Sequence, residues 1–202
     1  MAALIQAATA EDFPAEIVVV ISNRADAGGR ERAKASGIPT VSIESKPFGK
    51  DRVAFEAVLQ SELDQHKVEL ICLGGFMRLF TAEFVQRWYG RMLNIHPSLL
   101  PSFPGLEPQA QALRAGVKIS GATVHFVIPE TDAGPILMQG AVAVRDDDTP
   151  DTLAARIIEV EHRIYPDALR LVAGGQIRLE DGICKTAGRG VSDDVLISPT
   201  IT

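Results

Sequence analysis

The sequence is poor in cysteine, and its two, Cys72 and Cys184, lie far apart without metal-ligand spacing. That argues against a disulfide framework or a thiolate metal centre, and Cys72, inside an apolar run, reads as a reduced core residue. No window approaches the roughly 18 consecutive apolar residues of a membrane span. The opening Met1-Ala-Ala-Leu-Ile-Gln-Ala-Ala has no positive flank and places Gln6 inside a very short apolar stretch, so it does not read as a targeting segment. A cytoplasmic location is the expectation. Basic charge is also scarce: 20 Lys and Arg against 26 Asp and Glu leave a net charge of −6. Nucleic acid and membrane surfaces both select for a basic stripe, and neither is an expected partner. An anionic small substrate stays open, because helix N-termini and local cations can outweigh the global sign. Repeats and low-complexity linkers are lacking too, so one domain over residues 1–202 is expected, with about 190–202 as a tail.

What is present is ordinary globular composition, 46% apolar and 23% charged, in a chain long enough for a sizeable core. Short β-rich runs alternate with helical ones. Residues 17–21 are continuously apolar, as a strand covered on both faces would be, and a helix over 27–36, closed by Gly37, leads to a strand at 40–43. A helix over about 50–66 precedes a buried strand at 68–73, and a helix over 81–89 precedes a brief strand at 92–95. This βα rhythm predicts a doubly wound, Rossmann-like, mostly parallel sheet in a three-layer α/β/α arrangement. After residue 120 the pattern changes to two strands, 121–128 and 136–144, joined by a turn-rich segment and expected to be antiparallel. A long helix starts near Thr149, with Pro150 at its first position, and runs to about 172. A short strand at 176–179 and a polar tail follow.

Strand alternation puts Asn94 and His96 on one face and Leu93 and Ile95 on the other. The carboxyl edge of an open α/β sheet is where ligands bind. There an amide could hold a developing oxyanion while an imidazole moves a proton. A capped strand end with a hydrogen-bonded histidine would read the same way. Asp132, in the turn before Gly134-Pro135, is either a turn former or a carboxylate that orients a histidine. His125, within a strand, is expected to be structural, and a His96/His125/Asp132 metal site lacks any ligand signature. Glu161 falls in register with Ala154, Ile158 and Tyr165 on an apolar stripe, where a carboxylate needs a core partner or a substrate. The triplet Asp146-Asp147-Asp148 reads as a solvated loop. Gly74-Gly75-Phe76-Met77-Arg78-Leu79-Phe80 is unusually apolar for a connection. It would serve as core packing or as the wall of a pocket for a flat heterocycle.

Together these segments resemble the glycinamide ribonucleotide transformylase family. The likeness is carried by Gly75-Phe76-Met77-Arg78, Asn94-Ile-His-Pro-Ser-Leu-Leu-Pro-Ser-Phe-Pro-Gly105, Gly121-Ala-Thr-Val-His-Phe-Val127, Asp132-Ala-Gly-Pro-Ile-Leu-Met-Gln139 and Glu161-His-Arg-Ile-Tyr-Pro166, in the family's order. The resemblance implies transfer of a formyl group from 10-formyltetrahydrofolate, a co-substrate, to the amine of glycinamide ribonucleotide in purine synthesis. Transfer would be direct, without metal or covalent enzyme intermediate. It further implies that Asn94 stabilises the oxyanion, and that His96, an imidazolium supported by Asp132, does the same and assists proton transfer. Phe76, Met77, Arg78, Leu79 and Phe80, with Ile128, Pro129 and Glu130, would hold the pteridine, and Arg52 would face the folate glutamate. Pro97, Ser98, Gly105, Gln109 and Glu161 would meet the nucleotide. Two departures accompany the likeness. The family's first strand and Gly-Ser-Asn-type phosphate loop are expected ahead of Met1, and Leu106-Glu107-Pro108-Gln109 stands where a histidine pair is usual. A formyltetrahydrofolate hydrolase, a methionyl-tRNA formyltransferase and a non-enzymatic folate-binding protein are the alternatives, and a homodimer stays open.

Overall fold

The computed structural model describes residues 1–24, 28–187 and 198. The tail expected from about residue 190 therefore lies, Ser198 apart, outside the described residues. The elements in order are α1 (Ala2–Ala7), β1 (Val20–Ser22), α2 (Gly28–Ala35), β2 (Thr40–Ser42), a 3-10 turn at Lys46–Phe48, α3 (Arg52–Gln65), β3 (Ile71–Leu73), α4 (Ala82–Arg87), β4 (Met92–His96), α5 (Pro108–Ala115), β5 (Ile119–Phe126), β6 (Ile136–Ala143), α6 (Pro150–Ala173), β7 (Ile177–Glu180) and β8 (Ile183–Thr186).

β1 pairs β2 in parallel, and β3 pairs β4 in parallel, while β4–β5 and β5–β6 are antiparallel. The expected mixed sheet with its antiparallel strand pair is thus present. The run at 17–21, expected to be covered on both faces, is only half-buried. Among the described residues β1 pairs only β2, and β3 pairs only β4 on its own side, so each leaves one edge without a strand partner.

Two cores flank β4. Leu93 and Ile95 pack with Val124, Phe126, Ile157, Ile164 and Tyr165, whereas Met92 packs with Phe55, Leu59, Phe84 and Trp88. Successive strand residues point to opposite faces, so α6 covers one face and α3 with α4 the other. That is the three-layer arrangement. Local capping explains where the helices begin. Asp51 accepts from Ala54 N–H at the start of α3, Thr81 from Phe84 N–H at α4, and Thr149 forms a capping box with Thr152 at α6. The Tyr165 hydroxyl donates to the Leu73 carbonyl at 2.7 Å and lies 3.2 Å from that of Leu93, tying α6 to the ends of β3 and β4.

Several sequence expectations need correction. The buried stripe of α6 runs through Leu153, Ile157, Ile164 and Ala168, while Ile158 is 45% exposed, so Glu161 stands at the margin of that stripe. Asp148 is not a solvated loop residue: its side chain is 2% exposed and pairs with Arg156, whose guanidinium holds its carboxyl well below the usual range. α5 was hidden by the Pro104-Gly-Leu-Glu-Pro108 run, which reads as a turn. β8 lay in the supposed polar tail, and Gly182 at φ 75° turns the chain into it. No helix among the described residues is long and apolar enough to cross a membrane.

Candidate active site

Asn94 and His96 lie on the face of β4 opposite Leu93 and Ile95, as alternation predicts. The antiparallel ladder sets Asn94 across from His125 and His96 across from Thr123. The β5–β6 connection then returns to the same edge. It can do so because residue 134 is glycine: a Cβ there would lie 1.8 Å from the Phe126 carbonyl oxygen. The connection brings Asp132 to both histidines, with Oδ2 3.4 Å from His96 Nδ1 and Oδ1 3.9 Å from His125 Nε2. Asp132 sits at φ 52°, a left-handed conformation that Asp tolerates better than most residues.

The two imidazoles meet different partners. His125 Nδ1 lies 2.9 Å from the Phe126 carbonyl, which only accepts, so that nitrogen carries the proton. Burial lowers the proton affinity of this ring below the ordinary histidine value and keeps it neutral. Its Nε2 is then a lone pair, and accepts from Asn94 Nδ2 at 3.2 Å. One amide N–H of Asn94 is thereby fixed, leaving its second to donate elsewhere. His96 instead meets acceptors on both sides, the Phe103 carbonyl 3.0 Å from Nε2 and the Asp132 carboxylate at Nδ1. Both of its ring nitrogens thus face oxygen acceptors. Asp132 Oδ2 also accepts from Gly105 N–H at 2.8 Å. His96 and His125 are 7% and 3% exposed, so these charges and dipoles act with little screening from water.

The other residues expected to contact ligands lie in separate segments. Phe76 and Phe80 turn inward, stacked on each other at 4.9 Å, with Phe80 also on Phe84 at 4.8 Å, while Met77 and Leu79 point outward, 73% and 63% exposed. The loop thus offers its backbone and two aliphatic side chains, with the aromatic rings as backing. Glu56, buried on α3, fixes the loop's end by accepting from Thr81 N–H at 2.6 Å. Arg78 reaches the Gly49 carbonyl and covers the Phe55 ring. Arg52 and Arg78 line one open cavity of about 390 Å³ with Gly49, Lys50 and Leu79. Ile128, Pro129 and Glu130 follow β5 directly ahead of Asp132, the last two exposed. Pro97 and Gln109 are half-buried, Gln109 in the first turn of α5. Glu161 is half-buried, and no hydrogen bond or ion pair joins it to the Asn94–His96 centre among the described residues. Burial raises its carboxyl above the ordinary range. Ser98 does not suit the substrate contact expected of it: it is fully buried and its hydroxyl donates to the Ser102 carbonyl at 2.6 Å.

The formyl transferase family model matches residues 1–169. The chain belongs to the formyl transferase family. Within it, a phosphoribosylglycinamide formyltransferase of Bacillus subtilis is 40% identical over 81% of this chain and 84% of its own length. The trifunctional purine biosynthetic protein adenosine-3 of Bos taurus is 47% identical over 90% of this chain. The chain spans only 18% of that longer relative. The crystal structure of a phosphoribosylglycinamide formyltransferase from Anaplasma phagocytophilum superposes with a TM-score of 0.86 at 43% identity, covering 94% of this chain and 89% of the other. A formyltetrahydrofolate deformylase structure from Pseudomonas syringae is more distant in sequence, 28% identical, with a TM-score of 0.84 over 92% of this chain and 61% of its own.

Three groups at this candidate centre escape sequence reasoning, in whole or in part. His125, expected to be a satisfied structural histidine, is indeed buried and hydrogen-bonded, but its partner Asn94 was not foreseen. Its signal was available, because it alternates with Thr123 on a strand. The Phe103 carbonyl and the Gly105 amide are backbone groups, and no side-chain pattern announces them.

Proposed function

We propose that the chain transfers the formyl group of 10-formyltetrahydrofolate directly to the amine of glycinamide ribonucleotide. The observation that carries this reading is the convergence of Asn94, His96, His125 and Asp132 at the sheet edge, with one amide N–H uncommitted beside an imidazole paired with a carboxylate. Attack of the amine on the formyl carbon forms a C–N bond and puts negative charge on the formyl oxygen. Asn94 donates its free N–H to that oxygen. His96 contributes its positive charge and, as the oxyanion is a stronger acceptor than a neutral carbonyl, passes its Nε2–H from Phe103 to it. Collapse breaks the bond to folate N10, the amine gives up a proton, and N10 receives one, with His96 assisting the transfer. Asp132 keeps His96 charged throughout.

Met77, Leu79 and the backbone of residues 74–80, with Ile128, Pro129 and Glu130, are suited to the flat pteridine. The cations Lys50, Arg52 and Arg78 around one cavity suit the glutamate carboxylates. Pro97, Gly105, Gln109 and Glu161 take the ribonucleotide side, Glu161 toward the amine. Initial rates with both substrates varied test direct transfer. Double-reciprocal lines should intersect, as for a ternary complex. Parallel lines with a labelled formyl-protein adduct would overturn the proposal.

A further inference from the structure

Beneath the centre lies a buried hydrogen-bond hub that the mechanism above does not use. Thr123 is 0% exposed and stands opposite His96 in the β4–β5 ladder. Its hydroxyl donates to the Ser98 carbonyl at 2.7 Å and accepts from Leu100 N–H at 3.0 Å and from Gln139 Nε2 at 2.9 Å. All its bonding capacity is used. Gln139 Nε2 also donates to the Leu100 carbonyl at 2.8 Å, and Ser98 ties back to Ser102. The irregular segment 98–102 is therefore fastened to β5 and β6 by three bonds, at Ser98 and at both backbone groups of Leu100. Immediately after it come the two backbone groups that flank the catalytic pair, the Phe103 carbonyl on His96 and the Gly105 N–H on Asp132. Phe103 holds φ 56°, a left-handed conformation that persists in a bulky residue only when its surroundings over-determine it.

We propose that Thr123 is a positioning residue for the reaction, with Gln139 as its outer support: the pair sets residues 98–102 so that Phe103 and Gly105 hold His96 and Asp132 in register. Thr123 touches no reacting atom. The inference rests on the formyl-transfer reading only for its kinetic part, since the state of the His96 ring is read in the free protein. A hydroxyl that merely fills the core would matter to stability alone.

The test compares Thr123→Val, close in volume but without the hydroxyl, Thr123→Ser, which restores it, and Gln139→Leu at the exposed end of the network. Ring ¹⁵N–¹H spectra of the free protein, with His96 assigned through His96→Asn among the four histidines, report the Nε2–H bond to Phe103. In Thr123→Val that resonance should shift or be lost to exchange, and Thr123→Ser should keep it. Thr123→Val should lower kcat by about 10- to 100-fold with KM for both substrates within about twofold, the signature of a misplaced catalytic group. Thr123→Ser should stay within about threefold of the parent. Gln139→Leu should fall between, and it carries the same test if Thr123→Val does not fold. An unchanged His96 ring signal overturns the inference, as does an unchanged kcat beside a lowered Tm. If the parent protein transfers no formyl group, the spectra still decide the positioning claim, and the two failures are told apart.

Discussion

Asp132→Asn is the sharpest perturbation of the centre, because it removes charge and little else. Asn adopts the left-handed conformation at φ 52° as readily as Asp, so the turn is not newly strained. The amide oxygen can still accept from Gly105 N–H. What disappears is the negative partner 3.4 Å from His96 Nδ1, a pair worth about 5 kcal/mol as full charges at an effective dielectric of ~20. The amide dipole and relaxing water recover part of this. A loss of roughly 3–4 kcal/mol of transition-state stabilisation remains, or about 10²- to 10³-fold in kcat. KM for 10-formyltetrahydrofolate should change little, because Asn keeps the turn that carries Ile128, Pro129 and Glu130, and the other residues suited to the folate lie at 74–80 and around Arg52. The assay is steady-state turnover with folate product followed by absorbance, beside a thermal melt to establish that the variant is folded. A folded Asp132→Asn protein with kcat within about threefold of the parent would refute the reasoning, for the imidazolium would then need no counter-charge.

Other outcomes follow from the same geometry. Asn94→Ala removes the free amide donor and should cost about 10²–10³ in kcat, measured with saturating substrates, with folate binding by titration nearly unchanged. Glu161→Gln should raise Tm at pH 7 and raise KM for the ribonucleotide. Burial raises the folded-state pKa of Glu161 above its unfolded value, so the group's contribution is lost as pH rises through that higher value, and the amide avoids this loss. His125 shows the opposite pH dependence. Its folded-state pKa is lowered from 6.5, so below that pH the unfolded chain binds a proton that the folded chain does not. Stability by denaturant titration should fall as pH drops below that value, by at most about 1.4 kcal/mol per pH unit from this one group, and the slope should be shallower in His125→Asn.

The sequence made half of the centre legible. Asn94 and His96 share a strand, and a period of two is enough to set them side by side without knowledge of any neighbour. Asp132 could not be reached this way, because its approach depends on the antiparallel return of β5–β6 and on the bare backbone of Gly134 against Phe126. His125 was visible as a strand residue, but its bond to Asn94 needs the register of β4 against β5. The helix start at Thr149 was readable because capping is local, whereas the caps at Asp51 and Thr81 emerge only in the structure. The face of α6 was misjudged at Ile158 because two registers fit the apolar residues there, and packing on β5 and β6 chose the one through Ile157. Glu56, to which the sequence pattern drew no attention, gains its partner only from the arrival of Thr81 from a distant segment.

The central claim is tested most directly by incubating the purified protein with 10-formyltetrahydrofolate carrying a ¹³C-labelled formyl group, with and without glycinamide ribonucleotide, and following the label by mass spectrometry. The account predicts label in the ribonucleotide amide, formed only when both substrates are present. Label released as formate at the same rate without the ribonucleotide, or retained entirely on the folate in its presence, would contradict it.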